Sequence, residues 1–209
     1  MNSLPIIFLI GLSAVFAIYG KYTKSKSIHY VFKPLTMVLI ILLALIRTPA
    51  LPPPYCYLIL AALILSFIGD VILMLPDKML LQGLLPFLIA HIFYILAFIQ
   101  NVKFFSYQIL YPILIYGILI YLGVYRTLSA LRIPVFIYVL IISAMGWLSI
   151  NRYVNFLDLK SLYVMIGGIL FLISDSVWAL NKFRKPFRSS EIYILGSYFS
   201  AQSLFALSI

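Results

Sequence analysis

Leu60-Ala-Ala-Leu-Ile-Leu-Ser-Phe-Ile-Gly-Asp-Val-Ile-Leu-Met-Leu75 is apolar enough to lie in a bilayer, yet Asp70 stands inside it. An ionisable group at such a place costs roughly 2.5–3.5 kcal/mol on insertion scales unless it faces a partner or water. The chain repeats the feature at Asp175, within Gly167-Gly-Ile-Leu-Phe-Leu-Ile-Ser-Asp-Ser-Val-Trp-Ala-Leu180. Two carboxylates in apolar runs imply that the rest of the chain is a cage bringing them together.

Composition agrees with a membrane cage. The 209 residues are 65% hydrophobic and 10% charged, with mean hydropathy +1.14, whereas a soluble domain carries about 25% charge. The apolar runs reach about 20 residues and lack the alternation of barrel strands, so they read as transmembrane helices. The net charge of +10 does not mark a nucleic-acid binder, because the lysines and arginines sit between the runs and form no basic face with interleaved aromatics. The single Cys56 excludes an internal disulfide and a cysteine-based metal cluster. No Lys or Arg precedes the first run, so it lacks a signal-peptide n-region and reads as a retained span.

Eight spans are expected, at about 4–20, 34–48, 57–75, 85–102, 106–125, 133–150, 161–180 and 191–208, in one all-α transmembrane domain covering 1–209. Pro34 and Pro86 suit first helical turns, which makes the second span short, ending at Arg47. Leu51-Pro-Pro-Pro54 is a stiff connector. Eleven of the fifteen Lys and Arg fall in odd loops, counting Lys21, Lys24, Lys26, Lys33 and Lys78 in the first half. The even loops hold Arg47, Lys103, Arg152 and Lys160. The positive-inside rule therefore places the odd loops in the cytoplasm and both termini outside.

Aligning Asp70 on Asp175 pairs Leu65-Ser-Phe-Ile-Gly-Asp with Leu170-Phe-Leu-Ile-Ser-Asp. Span 3 then matches span 7, and spans 1–4 and 5–8 form two four-helix parallel repeats.

At 1.5 Å of rise per residue, Asp70 and Asp175 lie about 8 Å from the inner ends of their spans and His91 about 9 Å from the same side. The three are expected to line one cavity. Tyr94 shares a helix face with His91, and Tyr198 with Gln202. Lys33 stands at the inner mouth of span 2. Glu191 and Asp77 read as solvated span ends, and Ser189 or Ser190 as a cap for span 8. Gly69, Gly167 and Gly168 permit close helix approach. A zinc hydrolase needs about three ligands, and only His29, placed in loop 1, and His91 are at hand. No Gly-x-Ser-x-Gly elbow occurs. What remains is a carboxyl pair. Two carboxyls sharing a low-dielectric site rarely both ionise, which gives one general acid and one general base.

The sequence resembles the lysoplasmalogenase family of YhhN-like membrane proteins. The matching pieces are Lys33-Pro34, Gly69-Asp70-Val-Ile-Leu-Met74, Gly83…Phe87-x-x-x-His91-x-x-Tyr94, Ser174-Asp175-Ser176 and Tyr198-x-x-x-Gln202. The resemblance implies eight transmembrane helices and hydrolysis of the vinyl ether bond of lysoplasmalogens, yielding a fatty aldehyde and a glycerophospho-ethanolamine or -choline. On that reading Asp70, Asp175 and His91 are catalytic, while Lys33, Tyr94, Tyr198 and Gln202 bind the lysophospholipid. No metal or cofactor is required, and the partners are the substrate and membrane lipids. The expected location is the plasma membrane, the inner membrane of a bacterium. Two other functions fit the same residues: a small proton-coupled transporter with an Asp/His relay, and a hydrolase of another lipid.

Overall fold

Tyr30, near the start of one apolar helix, donates its hydroxyl to the Met74 carbonyl at the end of the next, 2.9 Å away. Contacts of this kind set the helix directions. The computed structural model describes residues 3–23, 25–75 and 79–209. Its α-helices are α1 (Leu4–Tyr22), α2 (Lys26–Arg47), α3 (Pro54–Leu73), α4 (Leu80–Phe98), α5 (Tyr107–Val124), α6 (Arg132–Phe156), α7 (Leu159–Phe183) and α8 (Ser190–Leu207). Two 3₁₀ turns, Tyr125–Thr127 and Ser129–Leu131, join α5 to α6.

Among the described residues, seven helices are long and apolar enough to cross a membrane, α1 to α7. The chain is thus an all-α, multi-pass membrane protein. The eighth expected span is a helix of 18 residues, but Glu191, Gln202 and four serines dilute its apolar character. It packs against α1, α2, α3 and α7 and presents much of its polar content to protein.

The start of α2 departs from expectation. Pro34 is interior to a helix of 22 residues beginning at Lys26. A proline there loses one backbone bond, which a membrane helix tolerates when hydroxyls and neighbouring helices satisfy the freed groups. Thr36 Oγ1 donates to the Phe32 carbonyl at 2.7 Å. Lys26, His29 and Lys33 consequently lie on α2 and not in a loop, and Lys33 sits two turns inside it. Pro86 is likewise interior to α4. Pro53 and Pro54 do open α3, as the stiff connector requires.

One end of the bundle gathers the starts of α2 and α8 with the ends of α1 and α3. The opposite end joins the start of α3 to the end of α8, through Tyr55 Oη and Ser208 Oγ at 2.6 Å. There Arg152 of α6 donates to carbonyls at the end of α4. Helices therefore alternate in direction, with odd loops at the first end and even loops at the second.

Close approach comes from glycine. A Cβ on Gly69 would lie 2.6 Å from the Phe87 ring, and one on Gly167 would lie 2.6 Å from Phe205. These two contacts let α3 meet α4 and α7 meet α8. Between the two pairs, Tyr94, Phe98, Phe171 and Phe205 are fully buried, with the Tyr94 and Phe205 rings 4.5 Å apart. Van der Waals packing of this kind drives helix association in lipid. Around this core α2 packs on α8 and α6 on α4.

Candidate functional site

Asp70 reaches the interior because Gly69 lets α3 pack tightly on α4, one residue earlier. Its carboxylate is 3% exposed at the residue level and has two partners. Lys33 Nζ of α2 is 3.0 Å from Oδ1, and the Tyr198 hydroxyl of α8 donates to Oδ2 at 2.6 Å. The rim of Phe87 meets Tyr198 edge-on, with ring centroids 6.0 Å apart, and fixes that phenol. A buried charge held by an ammonium and a hydroxyl meets the condition for placing it in a membrane helix.

Asp175 of α7 has a different environment. The Tyr138 hydroxyl of α6 donates to its Oδ2 at 2.6 Å, and no ion pair to it forms among the described residues. Both aspartates line one cavity, with Lys33, Phe87, Tyr138 and Tyr198. The rest of the wall is mostly apolar, built from Gly117 and Ile120 of α5, Val135, Val139 and Ile142 of α6, and Leu172, Trp178 and Phe183 of α7. The cavity is open in part to the exterior. Ser143 Oγ also lines it, buried and without a hydrogen bond.

A second cavity adjoins the first at the odd-loop end. The two share Lys33, Leu73, Trp178, Ile194 and Leu195. The second is polar, with Lys21, His29, Asn181, Lys182 and Glu191 in its wall. Lys33, bonded to Asp70, stands where the polar and apolar chambers meet.

The other expected site residues lie elsewhere. His91 is fully buried and does not line the cavity. Its face is not the expected one. Nδ1–H donates to the Phe87 carbonyl at 2.6 Å, and the ring is clamped edge-on between Tyr138 and Phe171, at centroid distances of 5.3 and 4.8 Å. His91 thus touches Asp175's partner and not Asp175. Tyr94 and Gln202 are also fully buried away from the cavity wall. The Tyr94 hydroxyl donates to Gln202 Oε1 at 2.5 Å, tying α4 to α8. Their own side chains supply the partner that a lipid was expected to supply.

His29 is on α2, buried, and its Nδ1–H donates to the Ala17 carbonyl of α1 at 3.0 Å. Glu191 faces Lys21 at 3.7 Å. Ser189 is the N-cap of α8 but makes no side-chain cap bond. Lys24, Asp77 and Lys78 lie outside the described residues. Among the described residues, no three His, Cys, Asp or Glu side chains converge as a metal site would need.

Tyr138 went unread in the sequence. It is one of 16 tyrosines, and no spacing sets it apart. The polar-cavity residues Lys21, Asn181 and Lys182 come from the ends of α1 and α7, which are remote in sequence.

A sequence-family model described as the YhhN family matches residues 28–209. An Escherichia coli relative named uncharacterized membrane protein YhhN is 27% identical over 199 residues, 95% of each chain. Lysoplasmalogenase TMEM86A of Bos taurus is 34% identical over 159 residues, 72% of this chain and 64% of that protein. Lysoplasmalogenase TMEM86B of Homo sapiens is 29% identical over 160 residues, 74% of this chain and 64% of that protein. No solved structure matches.

Proposed function

The chain belongs to the YhhN family, and on that premise we propose that it is a membrane-embedded hydrolase cleaving the vinyl ether bond of lysoplasmalogens, as the names of its mammalian relatives suggest. The products are a fatty aldehyde and a glycerophospho-base. The observation that carries this reading is the meeting of two chambers of opposite character at Lys33 and Asp70. A lysolipid has the same order of parts: a charged head, a reactive linkage and an apolar chain. The head occupies the polar chamber, the alkenyl chain the apolar one, and the linkage falls beside the carboxyls.

The two environments divide the labour. Asp70, ion-paired to Lys33, is the carboxylate. Asp175, partnered by the neutral phenol of Tyr138, is the carboxylic acid. Asp175 gives its proton to the alkenyl carbon remote from the ether oxygen, and the double-bond electrons form the new C–H bond. An oxocarbenium ion results. Asp70 takes a proton from water, whose oxygen bonds to the cationic carbon and yields a hemiacetal. The hemiacetal C–O bond to glycerol then breaks: its hydroxyl proton goes to Asp175, and Asp70 returns its proton to the departing alkoxide. One water is consumed and both carboxyls recover their starting states. Tyr198 and Tyr138 position the two carboxyls. His91 positions Tyr138, and Tyr94 with Gln202 holds α4 and α8 at the separation the site needs.

The polar chamber opens toward the cytoplasm under this reading, with both termini outside, in the plasma membrane. A reporter fused after Ile209 that is active only in the cytoplasm contradicts that orientation. The reaction itself is tested with purified protein in detergent and a lysoplasmalogen. Aldehyde release is expected. A fatty acid released from an ester or amide analogue, with no aldehyde from the ether, points to another lipid hydrolase. No product in detergent, with solute uptake into sealed vesicles, points to a transporter.

A further inference from the structure

We propose that the polar chamber is a head-group site matched to a zwitterion, a phosphate joined to an ammonium, and that Glu191 is the residue that reads the ammonium. The inference rests on the lysolipid reading and adds the part of the lipid the carboxyl pair does not touch.

Among the described residues, the wall holds cations and one carboxylate. Lys21, Lys182 and Lys33 face the chamber with Glu191. Lys33 is committed to Asp70 at 3.0 Å. Lys21 and Lys182 come from the ends of α1 and α7, and Glu191 from the first turn of α8. The two signs of charge therefore stand at the same mouth on different helices.

The Lys21–Glu191 pair is set for exchange. Its separation of 3.7 Å exceeds the 2.7–2.9 Å typical of a charge-assisted hydrogen bond. Both side chains keep access to solvent, at 49% and 23% of their area, and exposed pairs contribute little to stability. A ligand that offers phosphate to Lys21 and ammonium to Glu191 replaces one weak ion pair with two complementary ones. A phosphate without an amine gains Lys21 but meets the Glu191 charge uncompensated. The chamber thus discriminates between a glycerophospho-amine and a bare glycerophosphate, and the discrimination resides in Glu191.

The test is calorimetric titration of the full-length protein in detergent with two soluble probes, glycerophosphoethanolamine and glycerol 3-phosphate. The wild type is expected to bind the first more tightly. Glu191→Gln weakens the first about tenfold and leaves the second unchanged or tighter, while Lys21→Gln weakens both. A purely structural ion pair predicts otherwise, since both variants break the same pair and then act alike on both probes. Equal affinity of the wild type for the two probes, parallel effects of the two variants, or no binding overturns the proposal. Diacyl phosphatidylethanolamine displacing the soluble amine at equal potency overturns its assignment to a lysolipid head. This readout does not use turnover. Binding without aldehyde release refutes the hydrolase reading alone. Aldehyde release with a KM for ethanolamine-headed substrate that Glu191→Gln leaves unmoved refutes the head-group site alone.

Discussion

At the even-loop end, Arg152 donates through Nη1 to the carbonyls of Phe98 and Gln100 at 3.3 and 3.0 Å and lies over the rings of Tyr55 and Phe156 at 4.5 and 4.8 Å. Asn151 accepts from the Ser106 N–H at 2.6 Å, and Asn155 accepts from the Lys103 N–H at 2.9 Å. Lys160 Nζ donates to the Ile209 carbonyl at 2.6 Å. At the odd-loop end, Lys33 holds Asp70 at 3.0 Å beside the cavities, and Lys21 meets Glu191 only at 3.7 Å. The even-loop end answers its polar side chains with backbone. Carbonyls left over at the end of α4 are satisfied by a cation, which also suits the negative end of the helix dipole. The odd-loop end answers charge with charge beside open cavities. Polar groups that close onto backbone hold a fold, and polar groups that face a cavity are available for chemistry.

Substitutions at the two ends test that division. The largest effect is expected at the carboxyls. Asp70→Asn and Asp175→Asn each lower the rate per folded molecule by about 10²–10⁴, and the double variant is little worse, since the two act as a unit. Asp70→Asn also strands the Lys33 ammonium and costs about 3 kcal/mol of stability, whereas Asp175→Asn does not. Aldehyde release normalised to a size-exclusion peak measures the first effect, and unfolding in detergent the second. Near-normal turnover by well-folded Asp175→Asn protein ends the carboxyl-pair mechanism.

Arg152→Met is the counterpart at the closed end. It removes charged hydrogen bonds and ring contacts together, and about 3 kcal/mol of stability is expected to go with them. Turnover per folded molecule stays within about twofold, because nothing here faces substrate. A 10²-fold rate loss in folded Arg152→Met protein would collapse the distinction between the ends.

Smaller losses are expected from the positioning residues. Tyr138→Phe keeps the ring against His91 but removes the donor to Asp175, and kcat falls about tenfold with KM unchanged. His91→Gln acts one ring further away and costs about threefold. A His91→Gln loss as large as that of Asp175→Asn would mean that His91 itself handles the proton.

The smallest effect concerns the cap of α7. The Asp158 carboxylate accepts from the Ser161 N–H at 2.7 Å. This backbone bond, and then the Ser161 side chain, hold the Asp158 carboxyl below the ordinary carboxylate range. A carboxyl depressed in the folded state adds stability above its unfolded value and loses it as pH falls through the folded one. Asp158→Ala should therefore cost about 1 kcal/mol at neutral pH, and the difference from wild type should begin to shrink as pH falls to about 4 and vanish only below the folded-state value. Thermal unfolding of both proteins across that range checks the sign.

Much of this was legible beforehand where a residue contradicts its surroundings. Asp70 and Asp175 stand out because bilayer-spanning runs do not otherwise carry carboxylates. Their depth follows from helical rise, and they do line one cavity. His91 faces away from the cavity, because facing depends on how α4 is rotated against α6 and α7, which rise per residue does not set. Pro34 misled for a related reason. Its rule comes from soluble helices, whereas membrane helices tolerate interior prolines. Tyr138 gave no signal, because a phenol is at home in an apolar run whether or not it meets a carboxyl.

By itself, the sequence determined the all-α membrane class, the alternation of the helices and the two aspartates on which the site is built. Hydropathy, rise per residue and charge in short loops are local or additive along the chain, and a linear reading captures them. Only the tertiary structure decided which donor each carboxyl has, that Lys33 belongs to Asp70, that Tyr94 and Gln202 answer each other, and that a polar chamber adjoins an apolar one. Those pairings join helices up to 128 residues apart in sequence. They depend on rotations about helix axes that side-chain packing sets collectively, through contacts such as Phe87 against Gly69.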